Sequence, residues 1–260
     1  MDWSCLRRLD LNHGAPKHLF SVLTGKVPKL RALHFGFWPN HSPDRTWECL
    51  DVSVIVKLLE SIHGLQQLEA TNMNMAEFQN ILNDPVFAKL GRTLKMLRVS
   101  FTAAAAKGWT LDDVQSMTES CPGLQVLGLK IAMETDTTVP YTSTIWPVAA
   151  IEKLKCLTQL RELSLVLQLD ENSTEFIVAS DGNQHIIKPA AQDRTLSLIR
   201  NWRASQRGSE LKKCVVRYQT ILPFTEHAYT VTSSGTLDSP LELQTDVTGL
   251  PAVISLHPFY

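Results

Sequence analysis

A six-residue pattern, Leu-x-x-Leu-x-Leu, recurs from residue 6 to residue 216 and strongly limits the folds open to this chain. We call each copy a leucine phrase. In some copies another apolar residue replaces one of the leucines. Clear copies begin at Leu6, Leu30, Leu65, Leu94, Leu124 and Leu160, and a degenerate seventh begins at Leu211. The last two apolar residues of a phrase lie two apart, which predicts a short strand with one buried face.

Segments of helical character separate the phrases. They are predicted at 16–25, 50–63, 75–91, 110–120, 147–157 and 190–206. In the second segment, Val52, Ile55, Val56 and Leu59 recur at helical steps of three and four residues. In the fourth, Thr110 precedes two acidic residues and is predicted to be the N-cap.

Two similar strands joined by a helix are predicted to pair in parallel, because antiparallel neighbours need only a short turn between them. The fold class predicted is therefore α/β, a leucine-rich-repeat solenoid shaped as a horseshoe arc, with a parallel concave sheet and convex helices. The six clear phrases start 24 to 36 residues apart, so the repeats are irregular. Residues 1–208 are expected to form the solenoid.

Residues 209–260 are expected to form a degenerate last repeat and a β-rich C-terminal cap, with strands at 214–218 and 228–232 and a turn at 233–235. Two long polar connections, 132–144 and 170–189, interrupt the repeats. They are either disordered or ordered recognition loops, and the sequence leaves both open.

The residues just before two of the phrases give the chain a resemblance to a known family. Cys121-Pro122-Gly123-Leu124 and Val27-Pro28-Lys29-Leu30 resemble the leucine-rich-repeat region of fungal F-box-type proteins, over residues 3–170. The resemblance implies a substrate-recruiting arm of a ubiquitin ligase, which binds a Skp1-type adaptor through an F-box. No Leu-Pro-x-Glu-like opening precedes the repeats, and Leu250-Pro251-Ala252-Val253 lies at the wrong end. A truncated or fragmentary product is therefore expected.

Charge and cysteine content exclude several classes of function. The 25 basic and 26 acidic residues give no overall electrostatic reason to bind nucleic acid. Five cysteines without paired spacing argue against a disulfide framework and against a zinc site. The polar first residues do not form a signal peptide, and no run of about 20 apolar residues predicts a membrane helix. An intracellular protein of the cytoplasm or nucleus is expected.

The residues between the buried positions of each strand are predicted to line the concave face and bind a protein partner. This candidate set is Arg8, Asp10, Asn12, His34, Gln67, Glu69, Met96, Arg98, Lys130 and Glu162. The face is expected to consist of three rows that cross the strands: one begins at Arg8, the next at Asp10, and the third is Asn12, Gly36, Thr71, Ser100, Lys130 and Val166. Glu69 and Arg98 are expected to be neighbours across the ladder, either as a simple surface pair or as part of a docking patch.

The aromatic residues divide between contact and packing. Phe37 and Trp38 either contact a partner or are buried under residues 39–49, whereas Phe35, Trp146 and Trp202 are expected to pack in the interior.

No common catalytic motif, metal-ligand spacing or cofactor fingerprint occurs in the chain. The expectation is a protein-interaction scaffold without enzymatic activity, cofactor or metal, whose partner is unidentified and would include a Skp1-type adaptor only if an F-box is present. The alternatives are a free-standing leucine-rich-repeat binding protein with no ubiquitin role and a hydrolase with an unrecognised site on the long loops.

Overall fold

The computed structural model describes residues 2–11, 17–36, 52–73, 75–101, 108–136, 143–169, 177–179, 185–187, 189–205, 211–220, 225–233 and 241–249. Within these ranges the protein is an α/β structure with one open nine-stranded sheet. Seven strands pair in parallel: β1 (Arg8–Leu11), β2 (Ala32–Gly36), β3 (Gln67–Met73), β4 (Met96–Phe101), β5 (Val126–Ile131), β8 (Glu162–Leu169) and β11 (Lys213–Thr220).

Two antiparallel strands, β12 (Thr225–Ser233) and β13 (Leu241–Gly249), extend the sheet beyond β11. The predicted strands at 214–218 and 228–232 are therefore confirmed, while Ser234 and Gly235 of the predicted turn lie outside the described residues. The two long connections each contain a small antiparallel pair, β6 (Glu134–Asp136) with β7 (Ser143–Ile145) and β9 (Ile177–Ala179) with β10 (His185–Ile187). The 208/209 boundary stays a prediction.

A helical region follows each of the first six parallel strands in the chain. The helices are α1 (Lys17–Leu23), α2 (Val52–Glu60), α3 (Met75–Leu82), α4 (Pro85–Gly91), α5 (Leu111–Ser120), α6 (Val148–Leu154) and α7 (Pro189–Ser205). They match the predicted segments to within three residues at each end, except that 75–91 is two helices. Pro85 has no N–H to continue α3, and Asp84 is extended and caps α4 instead.

The N-cap predicted for α5 is confirmed. The Thr110 Oγ1 accepts a hydrogen bond from the Asp113 backbone N–H, and the Asp113 carboxylate accepts one from the Thr110 backbone N–H. This capping box satisfies two of the N–H groups that a helix start leaves unpaired. The Asp113 carboxylate also accepts from Gln79 Nε2 at 3.2 Å, which joins α5 to α3.

The leucines of the phrases pack between the sheet and the helices. In the phrase that starts at Leu94, this first residue and the two strand residues Leu97 and Val99 are at most 4% exposed. The same three places are buried in the five phrases from Leu30 to Leu160 and in the degenerate seventh, and they share one apolar cluster with the helices. Burying one such side chain contributes about 1.5–3 kcal/mol, so the repeated phrase supplies a large part of the core beside the residues of the helices. The architecture is compatible with an arc-shaped solenoid.

Candidate interaction face

The face of the sheet opposite the helices, here called the outer face, carries two continuous rows of side chains. The first row is Arg8, Ala32, Gln67, Met96, Val126, Glu162 and Lys213; the second is Asp10, His34, Glu69, Arg98, Gly128, Ser164 and Val215. From β1 to β8, the residues that neighbour one another in these two rows are those that the sequence predicted. Binding of a partner by these residues stays a prediction.

The third predicted row is interrupted. Gly36 pairs with Thr71, and Lys130 with Val166, but the register of β3 and β4 shifts between Ala70 and Met73. Thr71 and Ser100 are therefore not partners, because β3 has an additional residue there, as at a β-bulge. The prediction of an unbroken third row is wrong at this point. Asn12 lies outside the described residues, as do Phe37 and Trp38.

Lys130 is the most buried of the described candidate contact residues. It is 7% exposed, its Nζ donates a hydrogen bond to Gln168 Oε1, and burial lowers the pKa of its ammonium group to about 8. Of the aromatic residues expected to pack inside, Phe35, Trp146 and Trp202 are all buried.

Five neighbouring strands, β3, β4, β5, β8 and β11, enclose a shallow concavity on the outer face, with a volume of about 330 Å³. Its floor consists of small or apolar residues, among them Val126, Gly128, Ser164, Val166 and Val215. Charged side chains surround that floor: Glu69, Arg98, Glu162, Lys213 and Arg217. An apolar centre within a polar rim is the usual organisation of a protein-binding surface.

Arg98 forms its ion pair with Glu162 and not with Glu69, its neighbour on β3. Its Nη2 lies 4.0 Å from Glu162 Oε2, and the two side chains are 46% and 47% exposed. Gly128, between them on β5, makes this possible, since a Cβ there would lie 3.1 Å from Arg98 Cγ. Among the described residues no ion pair joins Arg98 to Glu69, so the predicted neighbours do not form the surface pair.

Three residues of the concavity come from β11 and were absent from the predicted set: Lys213, Val215 and Arg217. Arg217 Nη1 donates a hydrogen bond to Ser164 Oγ at 2.8 Å, which fixes the guanidinium over β8. The degenerate seventh phrase already contained the pattern that predicts these three residues on the outer face. Once Cys214 is aligned with Leu163, the residues on either side of it fall on the outer face.

At the other end of the second row, His34 Nδ1 lies 3.4 Å from Asp10 Oδ1. Such a pair orients an imidazole, and a general base then presents its other nitrogen to a substrate. Here His34 Nε2 is buried and has no hydrogen-bond partner. The pair therefore stabilises the first two strands and does not form a base that opens onto the concavity.

The chain matches no protein-family model and no curated protein.

Two further features of the described residues bear on the kind of site. They contain no group of three or more His, Cys, Asp or Glu side chains placed to hold a metal ion. No helix among them combines the length and the apolar character needed to cross a bilayer.

Proposed function

We propose that this protein is a leucine-rich-repeat solenoid that binds another protein on its outer face. One observation carries the proposal: seven parallel strands keep one register across the first two rows, so that the outer face presents ordered side chains with a 330 Å³ concavity among them. A rigid sheet fixes the backbone of these residues in advance, which reduces the conformational entropy lost on binding.

The concavity also supports this assignment through its chemistry. Its lining includes Arg98 and Arg217, and arginine is a residue type enriched at the energetic centres of interfaces. Both guanidiniums are held by a neighbour on β8 before any partner arrives. We expect the centre of the interface to lie over β5 and β8.

The resemblance to F-box-type proteins adds a more specific role, that of the arm which recruits substrates to a ubiquitin ligase. Pull-down of the intact gene product should then recover a Skp1-type adaptor in addition to the partner on the outer face. Recovery of the partner alone would assign the protein to the free-standing repeat proteins. That outcome would reject the ligase role and leave the binding role in place.

Site-specific photo-crosslinking tests the binding face directly. A benzophenone amino acid is placed at Gln67 or Met96 on the outer face and, as a control, at Lys57 or Glu119 on the exposed sides of α2 and α5. One protein should be captured from the outer positions only, and Arg98→Glu should abolish its capture. Equal capture from the helical positions, or none from the outer face, would overturn the proposal.

A further inference from the structure

The second residue of the leucine phrases forms a row of its own along the edge of the sheet where the parallel strands begin. It is basic in five of the seven phrases: Arg7, Arg31, Lys95, Arg161 and Lys212. In the remaining two it is Gln66 or Gln125. Because the chain holds 25 basic and 26 acidic residues, composition does not explain a row without a single acid. We call these seven residues the basic row.

Backbone hydrogen bonds place the members of the basic row side by side. The N–H of Arg31 donates to the carbonyl of Arg7, that of Gln66 to Arg31, and that of Lys95 to Gln66. The same bond continues through Gln125 and Arg161 to Lys212. Since neighbouring strands lie about 4.8 Å apart, the row extends over roughly 30 Å. Scattered positions in the sequence thus become one continuous strip.

Four of the five cations of this strip, Arg7, Arg31, Lys95 and Lys212, keep their positive charge without a neighbouring carboxylate among the described residues. Arg7, Arg31, Arg161 and Lys212 are exposed and Lys95 is half-buried. Within the described ranges, no carboxylate lies within 4.0 Å of the cationic groups of Arg7, Arg31, Lys95 or Lys212. The nearest acid of the adjacent row, Glu162, lies beside Arg98 instead. Cations held this closely repel one another, so an anion that bridges them would be stabilised.

Part of the row also connects successive turns of the chain. Arg7 Nη1 donates to the carbonyl of Lys29 at 3.4 Å, and Arg31 Nη1 to that of Gly64 at 2.6 Å. These acceptors are neutral and use few of the five N–H donors of each guanidinium, so the charge and most donors remain available. The bonds hold the cations in place as well as linking the turns.

We propose that the basic row binds an extended acidic segment of the protein partner, which crosses the parallel strands at this edge. This inference deepens the proposed function and rests on it, because the row borders the outer face and Lys213 continues from Lys212 into the concavity. The row has charge complementary to Asp and Glu side chains, while the amides of Gln66 and Gln125 suit a peptide backbone.

A peptide fits the row better than a nucleic acid does. None of the seven residues is aromatic, whereas single-stranded nucleic acids are bound by stacking on aromatic rings as well as by charge. The row therefore offers a nucleic acid charge alone, whereas its cations and its two amides together match a peptide.

Fluorescence anisotropy with the full chain tests this inference. The probe is a labelled 12-residue peptide of alternating glutamate and serine, and a peptide of alternating lysine and serine serves as its opposite. The protein should bind the acidic peptide only, more weakly as salt is added. In the triple variant Lys95→Gln, Arg161→Gln, Lys212→Gln the affinity should fall about tenfold, as expected if each exposed contact contributes a fraction of a kcal/mol.

The control variant removes the same number of positive charges elsewhere, through Lys57→Gln, Lys89→Gln and Arg200→Gln on the exposed sides of α2, α4 and α7. It should bind the acidic peptide like the wild type. An equal loss in both variants, or no binding of the acidic peptide at low salt, would overturn the inference. Tighter binding of a labelled 12-nucleotide oligothymidine would assign the row to nucleic acid and overturn it as well.

The two proposals can fail separately. Crosslinking on the outer face together with no affinity for the acidic peptide would refute only the role of the basic row. Affinity for the peptide without any face-specific crosslink would refute the proposed function while the charge selectivity of the row survived.

Discussion

Arg98 Nη2 and Glu162 Oε2 lie 4.0 Å apart on the outer face although β5 separates their strands. The approach depends on Gly128, which has no side chain to hold them apart. The pair spans β5 within the concavity and brings Arg98, which we assign to partner binding, beside a carboxylate.

A double-mutant cycle should detect this pair and measure only a small energy. Because both side chains are nearly half exposed, we expect a coupling of about 0.2–1 kcal/mol between Arg98→Ala and Glu162→Ala, lost in 1 M salt. Urea unfolding gives the four free energies of unfolding. The cycle of Arg98→Ala with Glu69→Ala is the control, and a larger coupling there would contradict the geometry.

Leu127→Asp should unfold the middle of the sheet. Leu127 is 1% exposed and pairs with Leu97 and Leu163 on either side, so a carboxylate there would be buried without a partner. We expect a loss of several kcal/mol, measured by urea or thermal unfolding. Val126→Asp, one residue earlier on the outer face, should cost far less. Similar melting of the two variants would show that the two faces of β5 are wrongly assigned.

Thr110→Ala should destabilise α5 because it removes the acceptor for the Asp113 N–H. The expected cost is about 1 kcal/mol in the free energy of unfolding. Thr110→Ser keeps the hydroxyl and should restore most of the stability. Thermal denaturation followed by circular dichroism measures both variants, and equal melting temperatures for Ala and Ser would argue against the capping box.

The positions of strands and helices follow from the sequence because burial repeats with the leucine phrase. Leu68, Leu97 and Leu163 fall at the same place in their phrases, and the structure buries each of them. The division of 75–91 was also readable, since Pro85 after Asp84 is a common helix start. The basic row could be found by aligning the second residues of the phrases.

Other features depend on contacts that no local pattern contains. Arg98 pairs with Glu162 and not with Glu69 because its side chain extends over Gly128. That space exists only when three strands are aligned. The burial of Lys130 depends on Gln168, 38 residues away. The shift after Ala70 changes which residues of β3 and β4 face one another, and alternation along a strand does not reveal an inserted residue.

Thiol labelling should separate the four cysteines that the structure describes into two classes. Cys5 and Cys156 are exposed, whereas Cys121 and Cys214 are buried and their burial raises the pKa of each thiol to about 12. Because the thiolate is the reactive form, the buried pair should react with iodoacetamide only on unfolding. Peptide mass spectrometry after labelling with and without urea measures this. Labelling of Cys214 as fast as Cys5 in the native protein would contradict its place in the core.

Lys130 should make stability rise with pH in the alkaline range. Burial lowers the pKa of its ammonium group from 10.5 to about 8 in the folded protein. Between those two values the unfolded chain binds more protons than the folded one, so the free energy of unfolding increases as pH rises. That gain is complete above about pH 10.5 and is lost as pH falls through 8.

Lys130→Met keeps a long side chain but removes the titrating group, and it should therefore remove this rise. Urea unfolding of both proteins from pH 7 to 10.5 gives their difference in stability, in which the titration of other groups, such as Cys121 and Cys214, cancels. The difference should favour Lys130→Met most at pH 7 and shrink as the pH increases. A difference that stays constant across this range would mean that Lys130 titrates alike in the folded and unfolded chains and is not covered as the structure has it.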